Sequence, residues 1–216
     1  MAHEELVPSS VGLVIFDLDG TLLRGRTVCE VIADRIGRGR RMREMESLTD
    51  RAAIALARRE MAGWYVDKEQ ADLVACLEEA DIAPGVAGGI ALLKAHGFAL
   101  AIASITWEFA VREFARRWGI GDILGTGLGD DGELAHVWPE DKAEFLRRLV
   151  ERHHLQRMRT HAVGDSTGDL PMLRAAGNGY FVGRIAPPPI EGLRHCPEAN
   201  IHAIAQEIVF GERRAA

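Results

Sequence analysis

The residues with the clearest chemical potential are two aspartates that follow a short apolar run. Leu13–Phe16 has the length and composition of a buried strand, and Asp17, Asp19, Gly20 and Thr21 come directly after it. Side chains two positions apart in an extended chain point the same way, so both carboxylates can face one crevice. Two carboxylates this close repel each other unless a cation lies between them. A plain turn made of Asp and Gly would give the same pattern.

Further polar residues lie at a predicted strand end and at two predicted helix starts. Ser104 ends the apolar run Phe98–Ser104 and, with Ile105, precedes a predicted helix. A hydroxyl and free backbone N–H groups at such a start can bind an anion, although Ser104 could also be an N-cap without a ligand. Lys142 lies in the first turn of a helix predicted to begin at Pro139, where the helix dipole disfavours a cation. The lysine therefore has either another partner or a solvated surface position.

A second pair of aspartates, Asp165 and Asp169, follows the predicted strand Thr160–Gly164. With Asp17 and Asp19 they would place four acidic groups in one crevice, which calls for a hard cation. Carboxylate oxygens suit Mg²⁺. Asp169 could instead cap the following helix, whereas Asp165 is not placed to do so.

The elements that position these residues form an alternating pattern of strands and helices from Pro84 onward. Strands joined by helices predict an α/β fold with a doubly wound, Rossmann-like parallel sheet, whose ligand site lies beyond the carboxyl ends of the strands. The pattern predicts helices over Trp107–Trp118 and Asp169–Ala176 and a closing helix over Ala199–Phe210, and Asp130-Asp131-Gly132 predicts a hairpin turn.

Residues 24–83 show helical patterns only. One begins near Val28, one ends at Gly63, and a third is predicted to begin at Asp67 with Gln70 completing a capping box. No strand is predicted in this stretch. We therefore expect a core domain of residues 1–23 and 84–216 with an inserted small helical cap domain of residues 24–83.

The composition narrows the class of protein. The chain has 216 residues, 47% of them hydrophobic, and a net charge of −6, which is typical of a globular protein and argues against a nucleic-acid partner. No apolar run is long enough to cross a membrane. The three cysteines are widely spaced and read as reduced thiols, so a cytoplasmic protein is expected. No oligomeric state is predicted.

Taken in order, these motifs resemble those of the haloacid dehalogenase (HAD) superfamily, nearest its phosphoserine phosphatase-like members. The matching features are Asp-x-Asp-Gly-Thr at Asp17–Thr21, the serine Ser104, the lysine Lys142 and Gly-Asp-x-x-x-Asp at Gly164–Asp169. The resemblance covers Val11 to about Gly183. It implies a HAD-like core, and the helical insertion falls where these enzymes carry a small cap.

The resemblance also implies roles for the site residues. Asp17 would be the nucleophile, and Asp19 the acid and then the base. Mg²⁺ would be bound by Asp17, the Asp19 carbonyl and Asp165, while Asp169 would orient the lysine and the metal shell. The groups implied to hold the phosphoryl oxygens are Lys142, the hydroxyls of Thr21 and Ser104, and the N–H of Ile105.

Several positions depart from the phosphoserine phosphatases. Arg26 stands where those enzymes carry a cap glutamate that meets the substrate's amino group, and Val74 where they carry an arginine for its carboxylate. Their Asn in the last motif is Gly168 here. Arg24 and Arg26 directly follow the catalytic loop, so Arg26 is a candidate for gripping an acidic leaving group.

The sequence therefore predicts a Mg²⁺-dependent phosphomonoester hydrolase that acts on a small, acidic phosphorylated metabolite. Two alternatives stay open. A phosphotransferase or phosphomutase would use the same aspartyl-phosphate chemistry, and a non-catalytic phosphate-binding module would keep the pocket without turnover. Mere binding does not require both Asp17 and Asp19, which counts against the module.

Overall fold

A seven-stranded sheet forms the centre of the computed structural model, which describes residues 10–128, 133–198 and 200–211. The strand order is β6-β5-β4-β1-β7-β8-β9, and all neighbours are parallel except β5 and β6. The strands are β1 Gly12–Phe16, β4 Phe98–Trp107, β5 Asp122–Leu128, β6 Leu134–Ala135, β7 Thr160–Gly164, β8 Asn178–Val182 and β9 Leu193–Cys196.

Helices cover both faces of this sheet, because its central strands are apolar on both sides. In β1, Val14 and Phe16 pack into one hydrophobic cluster, and Leu13 and Ile15 into the other. The first face is covered by α5 Val86–Ala95, α6 Glu108–Trp118 and α9 Ile201–Gly211; the second is covered by α7 Pro139–Arg152 and α8 Leu170–Ala175. The prediction of a doubly wound α/β fold is confirmed.

The segment between β1 and α5 carries four helices: α1 Val28–Arg35, α2 Gly39–Glu46, α3 Arg51–Gly63 and α4 Gln70–Cys76. We call residues 24–82 the cap segment. The prediction that this segment holds no strand is wrong. β2 Leu23–Arg24 and β3 Asp81–Ile82 pair as an antiparallel ladder where the cap segment leaves and rejoins the core. Strands of two residues are too short to show an alternating pattern. The division of the chain into two domains stays a prediction.

Some predicted boundaries are wrong. The third cap helix begins at Gln70 rather than Asp67, and its N-cap Glu69 makes no capping hydrogen bond. β4 continues past Ser104 to Trp107, so α6 begins one residue later than predicted. The helix predicted over Asp169–Ala176 begins later and ends earlier: a 3₁₀ turn at Thr167–Asp169 precedes α8, which covers Leu170–Ala175. Pro171 is the second residue of α8 and has no backbone N–H to donate, so it favours the first turn of a helix and α8 begins beside it.

Two predicted features fall partly or wholly outside the described residues: the turn at Asp130-Asp131-Gly132 and the first residue of the closing helix, Ala199. The described strands before and after that stretch, β5 and β6, pair antiparallel. Across the described ranges, no helix combines the length and the apolar composition that a membrane crossing requires.

Candidate active site

The central strands β4, β1 and β7 bring the predicted site residues to one edge of the sheet. Asp17 follows β1, and its N–H donates to the Val163 carbonyl of β7 over 2.9 Å. Asp165 follows β7, and Ser104 lies in β4 on the other side of β1. Because parallel strands end at the same edge, residues far apart in sequence meet there.

Lys142 is buried between two carboxylates. Its Nζ donates to Asp17 Oδ1 over 2.6 Å and to Asp169 Oδ1 over 2.7 Å. Burial alone would lower the pKa of Lys142, but attraction to Asp169 and Asp17 outweighs it, so the pKa lies above its usual value. The lysine near the start of α7 therefore has partners and is not a solvated surface residue.

Asp169 uses both carboxylate oxygens within the protein. While Oδ1 accepts from Lys142, Oδ2 accepts from the Asp165 N–H, the Ser166 N–H and the Ser166 hydroxyl at 2.9 to 3.1 Å. These bonds fix the loop that presents Asp165. Asp169 thus orients both Lys142 and Asp165.

The carboxylates of Asp17, Asp165 and Asp169 form the acidic cluster of the site, with one oxygen from each within 4.8 Å of the others. Burial, followed by the charge of Asp169, raises the pKa of Asp17 well above its usual value and that of Asp165 to about 6. Gly20 adopts φ +81°, and a Cβ there would collide with the Asp165 carboxylate. The donors fit a hard divalent cation such as Mg²⁺, held chiefly by Asp17 and Asp165 because Asp169 is already saturated.

The Asp19 side chain points away from this cluster. Its Oδ1 accepts from the Val28 N–H over 2.8 Å, at the first residue of α1. Burial raises the pKa of Asp19 to about 7, although that hydrogen bond opposes the rise. The structure thus brings three of the four predicted carboxylates together and directs the fourth toward the cap segment.

The predicted phosphate-binding groups lie beside the cluster. The buried Thr21 hydroxyl has no hydrogen-bond partner among the described residues, so it can donate to a ligand. Ser104 is inside β4 rather than at a helix N-cap, and its hydroxyl accepts from the Thr106 N–H over 3.3 Å. Ile105 is held through its carbonyl, which accepts from the Thr126 hydroxyl over 2.8 Å.

Of the two arginines after the catalytic loop, Arg26 lies at the protein surface. Its side chain is 41% exposed, with Nη1 3.3 Å from Asp34 and Nη2 3.9 Å from Glu79. The charge of Arg24, by contrast, acts on Asp165 and opposes the rise in its pKa. Arg24, in β2, is partly buried, whereas the Arg26 side chain is at the surface.

Sequence reasoning missed Arg58 of α3, a buried arginine that contacts the core. Its Nη1 donates to the Val137 carbonyl over 3.0 Å and its Nη2 to the Ile105 carbonyl over 3.4 Å. A signal was present: Arg58 lies four residues after Ile54 and three before Met61, on the apolar face of the predicted helix.

Four of the predicted site residues are nearly closed off from solvent, whereas Asp19 and Asp165 are partly exposed. The exposed fractions are 4% for Asp17, 2% for Lys142, 1% for Ser104 and 0% for Thr21. Cap-segment residues contact the core beside them: Cys29 Sγ lies 3.5 Å from Thr106 Oγ1, and the Tyr65 and Trp107 rings meet edge to face at 5.6 Å. The cap segment is thus packed against the core beside the site.

The sequence profile of the haloacid dehalogenase-like hydrolases matches residues 14–174, which hold the acidic cluster, the buried lysine and the cap segment. The chain belongs to this family. Phosphoserine phosphatase SerB2 of Mycobacterium tuberculosis is 29% identical over 181 residues, which cover 77% of this chain and 43% of the relative. The chain spans about two fifths of the length of the curated relatives it matches.

Solved structures show the same fold. A HAD family hydrolase from Salmonella enterica serovar Typhi superposes with a TM-score of 0.78 at 21% identity, covering 93% of this chain and 71% of that one. The apo form of a phosphoserine phosphatase superposes with a TM-score of 0.71 at 20% identity, covering 88% and 94%. In fold, the chain is thus a phosphoserine phosphatase-like HAD protein.

Proposed function

We propose that this protein is a Mg²⁺-dependent phosphomonoester hydrolase that works through an aspartyl-phosphate on Asp17. The observation that carries the proposal is the placement of Asp17 between Lys142, bonded to one carboxylate oxygen, and Asp165, whose carboxylate lies close by. The second oxygen of Asp17 is left for attack or for a metal ion. A binding module would not need a carboxylate held in this way.

In the first step, a carboxylate oxygen of Asp17 bonds to phosphorus as the bond from phosphorus to the leaving oxygen breaks. That oxygen takes a proton from Asp19, whose raised pKa keeps the proton available near neutral pH. Asp19 then accepts a proton from the water that attacks the phosphorus. Inorganic phosphate leaves, and Asp17 is regenerated.

A carboxylate approaches a phosphate dianion only if positive charge and donors offset the repulsion. Lys142 supplies a fixed cation, and the hydroxyls of Thr21 and Ser104, with the N–H of Ile105, are proposed to hold the phosphoryl oxygens. Mg²⁺ bound by Asp17, the Asp19 carbonyl and Asp165 would neutralise charge on the transferring group. Asp169 keeps the lysine and the metal-binding loop in place.

The substrate is proposed to be a small phosphorylated metabolite, since the chain resembles phosphoserine phosphatases and packs its cap segment against the core beside the site. An acidic leaving group is supported by the arginines after the catalytic loop. Arg24 is better placed than Arg26, whose charge is partnered by Asp34 and Glu79. Neither Arg26 nor Val74 reproduces the amino-acid recognition residues of the phosphoserine phosphatases.

The test is a panel of acidic, neutral and amine-bearing phosphomonoesters assayed with and without Mg²⁺. We expect hydrolysis of an acidic member that depends on Mg²⁺ and is lost on chelation. Asp17→Asn should lower kcat by at least about a thousandfold, because the nucleophile is gone. Asp122→Asn, at a partly exposed ion pair with Arg152, is the matched control and should keep activity. Equal turnover by Asp17→Asn would overturn the mechanism.

Product analysis on the same panel separates hydrolysis from group transfer. Free phosphate should match the substrate consumed, in the presence or absence of added alcohols and sugars. A shortfall of phosphate, matched by a phosphorylated acceptor, would replace the hydrolase by a phosphotransferase. Binding of substrate without turnover of any panel member would favour the non-catalytic module.

A further inference from the structure

Arg58 is the cap-segment residue with the most unusual surroundings. Its side chain is only 6% exposed, and among the described residues no carboxylate lies within ion-pair distance of it. The guanidinium instead donates to two backbone carbonyls, lies 3.3 Å from His136 Nδ1, and stacks over the Trp138 ring at 4.8 Å from its centroid. A buried charge with such partners is expensive to keep.

All these partners belong to the core, and they lie on the two segments that carry phosphate-binding groups. One segment, His136–Trp138, leads into α7, and Lys142 follows Trp138 by four residues. The other is Ile105, the residue after Ser104 in β4. Arg58 lies in a helix of the cap segment. It thus bridges the segment that leads into the lysine-bearing helix and the part of β4 that presents Ser104.

Thr126 and Trp138 reinforce the same bridge. The Thr126 hydroxyl donates to the Ile105 carbonyl and accepts from the Val137 N–H, so Arg58 and Thr126 join the same two segments from two sides. The Trp138 ring is shared with Arg51 of α3, at 4.2 Å, and with the stacked His136 ring, at 5.5 Å. Arg51 is largely exposed and pairs with Glu140, whereas Arg58 is buried.

We propose that Arg58 is a positioning residue that couples closure of the cap segment to the alignment of Lys142 with the Ser104–Ile105 part of β4. The inference rests on the proposed phosphatase function. When the cap segment closes, the guanidinium draws the Val137 and Ile105 carbonyls to a fixed spacing. When it opens, both segments lose this shared donor. Closure over a substrate therefore completes the phosphate-binding set as well as excluding water.

The side chain suits this role because of its geometry. A guanidinium is planar, stays charged, and offers several donors at fixed angles, so one group can serve two carbonyls and a ring face together. A lysine ammonium could donate to one carbonyl, but it has no planar charged group to stack on the Trp138 ring. An apolar side chain of equal length would fill the space without joining the segments.

The test compares Arg58→Met and Arg58→Lys with Arg59→Met, the exposed neighbour on the same helix. On the best substrate of the panel, we expect Arg58→Met to lower kcat by about ten- to a hundredfold with a smaller change in KM, because misplaced groups act mainly in the transition state. Arg58→Lys should recover part of that loss. Arg59→Met should match the wild type.

Amide hydrogen exchange gives a readout that does not need turnover. In Arg58→Met, exchange in residues 104–107 and 136–142 should quicken by on the order of tenfold, while β7 stays unchanged. If the wild type lacks phosphatase activity but this pattern appears, the proposed function fails and the coupling stands. If the wild type is active and Arg58→Met matches Arg59→Met in kcat and in exchange, the coupling is wrong.

Discussion

Asp19 does two things at the scale of a single residue. It is proposed to protonate the leaving group, and its Oδ1 accepts from the first N–H of α1. This hydrogen bond ties the proposed acid to the start of the cap segment. Burial raises the pKa of Asp19 to about 7.

Asp19→Asn should slow transfer from alkyl phosphomonoesters much more than from p-nitrophenyl phosphate. Asparagine keeps the acceptor for Val28 but has no proton to give, so kcat/KM on the alkyl substrate should fall by about 10²- to 10⁴-fold. Nitrophenolate leaves without protonation, so kcat/KM on p-nitrophenyl phosphate should fall by about tenfold or less. Initial rates over a range of substrate concentrations measure both, and equal losses would assign the acid to another group.

Sequence predicted the residues whose placement depends on the local backbone. Asp17 and Asp165 follow strands, and the strand patterns located them. It could not predict how Asp169 divides its oxygens or that Arg58 is buried, because these depend on contacts between residues far apart in the chain. Lys142 was ambiguous for the same reason, since its partner Asp17 is 125 residues away.

At the scale of elements, α1 is the helix most directly tied to the chemistry. Thr27 caps it: the Thr27 hydroxyl accepts from the Glu30 N–H over 3.2 Å, and the Glu30 carboxylate accepts from the Thr27 N–H over 2.8 Å. The Thr27 hydroxyl also donates to Glu46 of α2 over 3.0 Å. The first turn of α1 is therefore held by both a capping box and the Asp19 carboxylate.

Thr27→Ala should lower the free energy of unfolding by about 1 kcal/mol, because it removes the N-cap acceptor. Urea denaturation at neutral pH measures the change, with the m value expected to stay constant. Thr27→Ser keeps a hydroxyl and serves as the matched control. A stability equal to the wild type in Thr27→Ala would show that Asp19 alone is enough to hold the helix start.

The elements themselves were predicted unevenly. Long apolar strands and amphipathic helices were found because their periodicity is strong. Three elements were not predicted: α2, whose sequence is rich in charge, and the two-residue strands β2 and β3. None of them carries enough of a repeating pattern. β4 extends past its predicted end because Trp107 pairs with Thr126 of β5, after a shift in register, rather than starting a helix.

At the scale of the whole molecule, the cap segment is docked on the core in the described structure. Thr106→Cys offers a way to lock it, because Cys29 Sγ already lies 3.5 Å from Thr106 Oγ1 across the junction of cap segment and core. Oxidation with copper phenanthroline should form the disulfide and lower kcat/KM by about tenfold or more, since the substrate can no longer enter. Reduction should restore activity.

The control for that experiment is the Cys29→Ser, Thr106→Cys double variant, which carries the new thiol without its partner. It should keep its activity through the same oxidation. Thiol titration before and after treatment counts the free cysteines and confirms the bond. Full activity in the oxidised single variant would mean that substrate enters without separation of Cys29 from the core.

The antiparallel ladder of β2 and β3 also governs how specificity can evolve. The chain of the cap segment leaves and rejoins the core at these two short strands, so substitutions on the exposed surfaces of α1, α2 and α4 leave the sheet and Asp17 in place. Among the contacts of the cap segment with the core, Arg58 contributes a buried charge held by two backbone carbonyls. Lineages that change substrate are expected to vary freely across the cap segment yet keep an arginine at this one position.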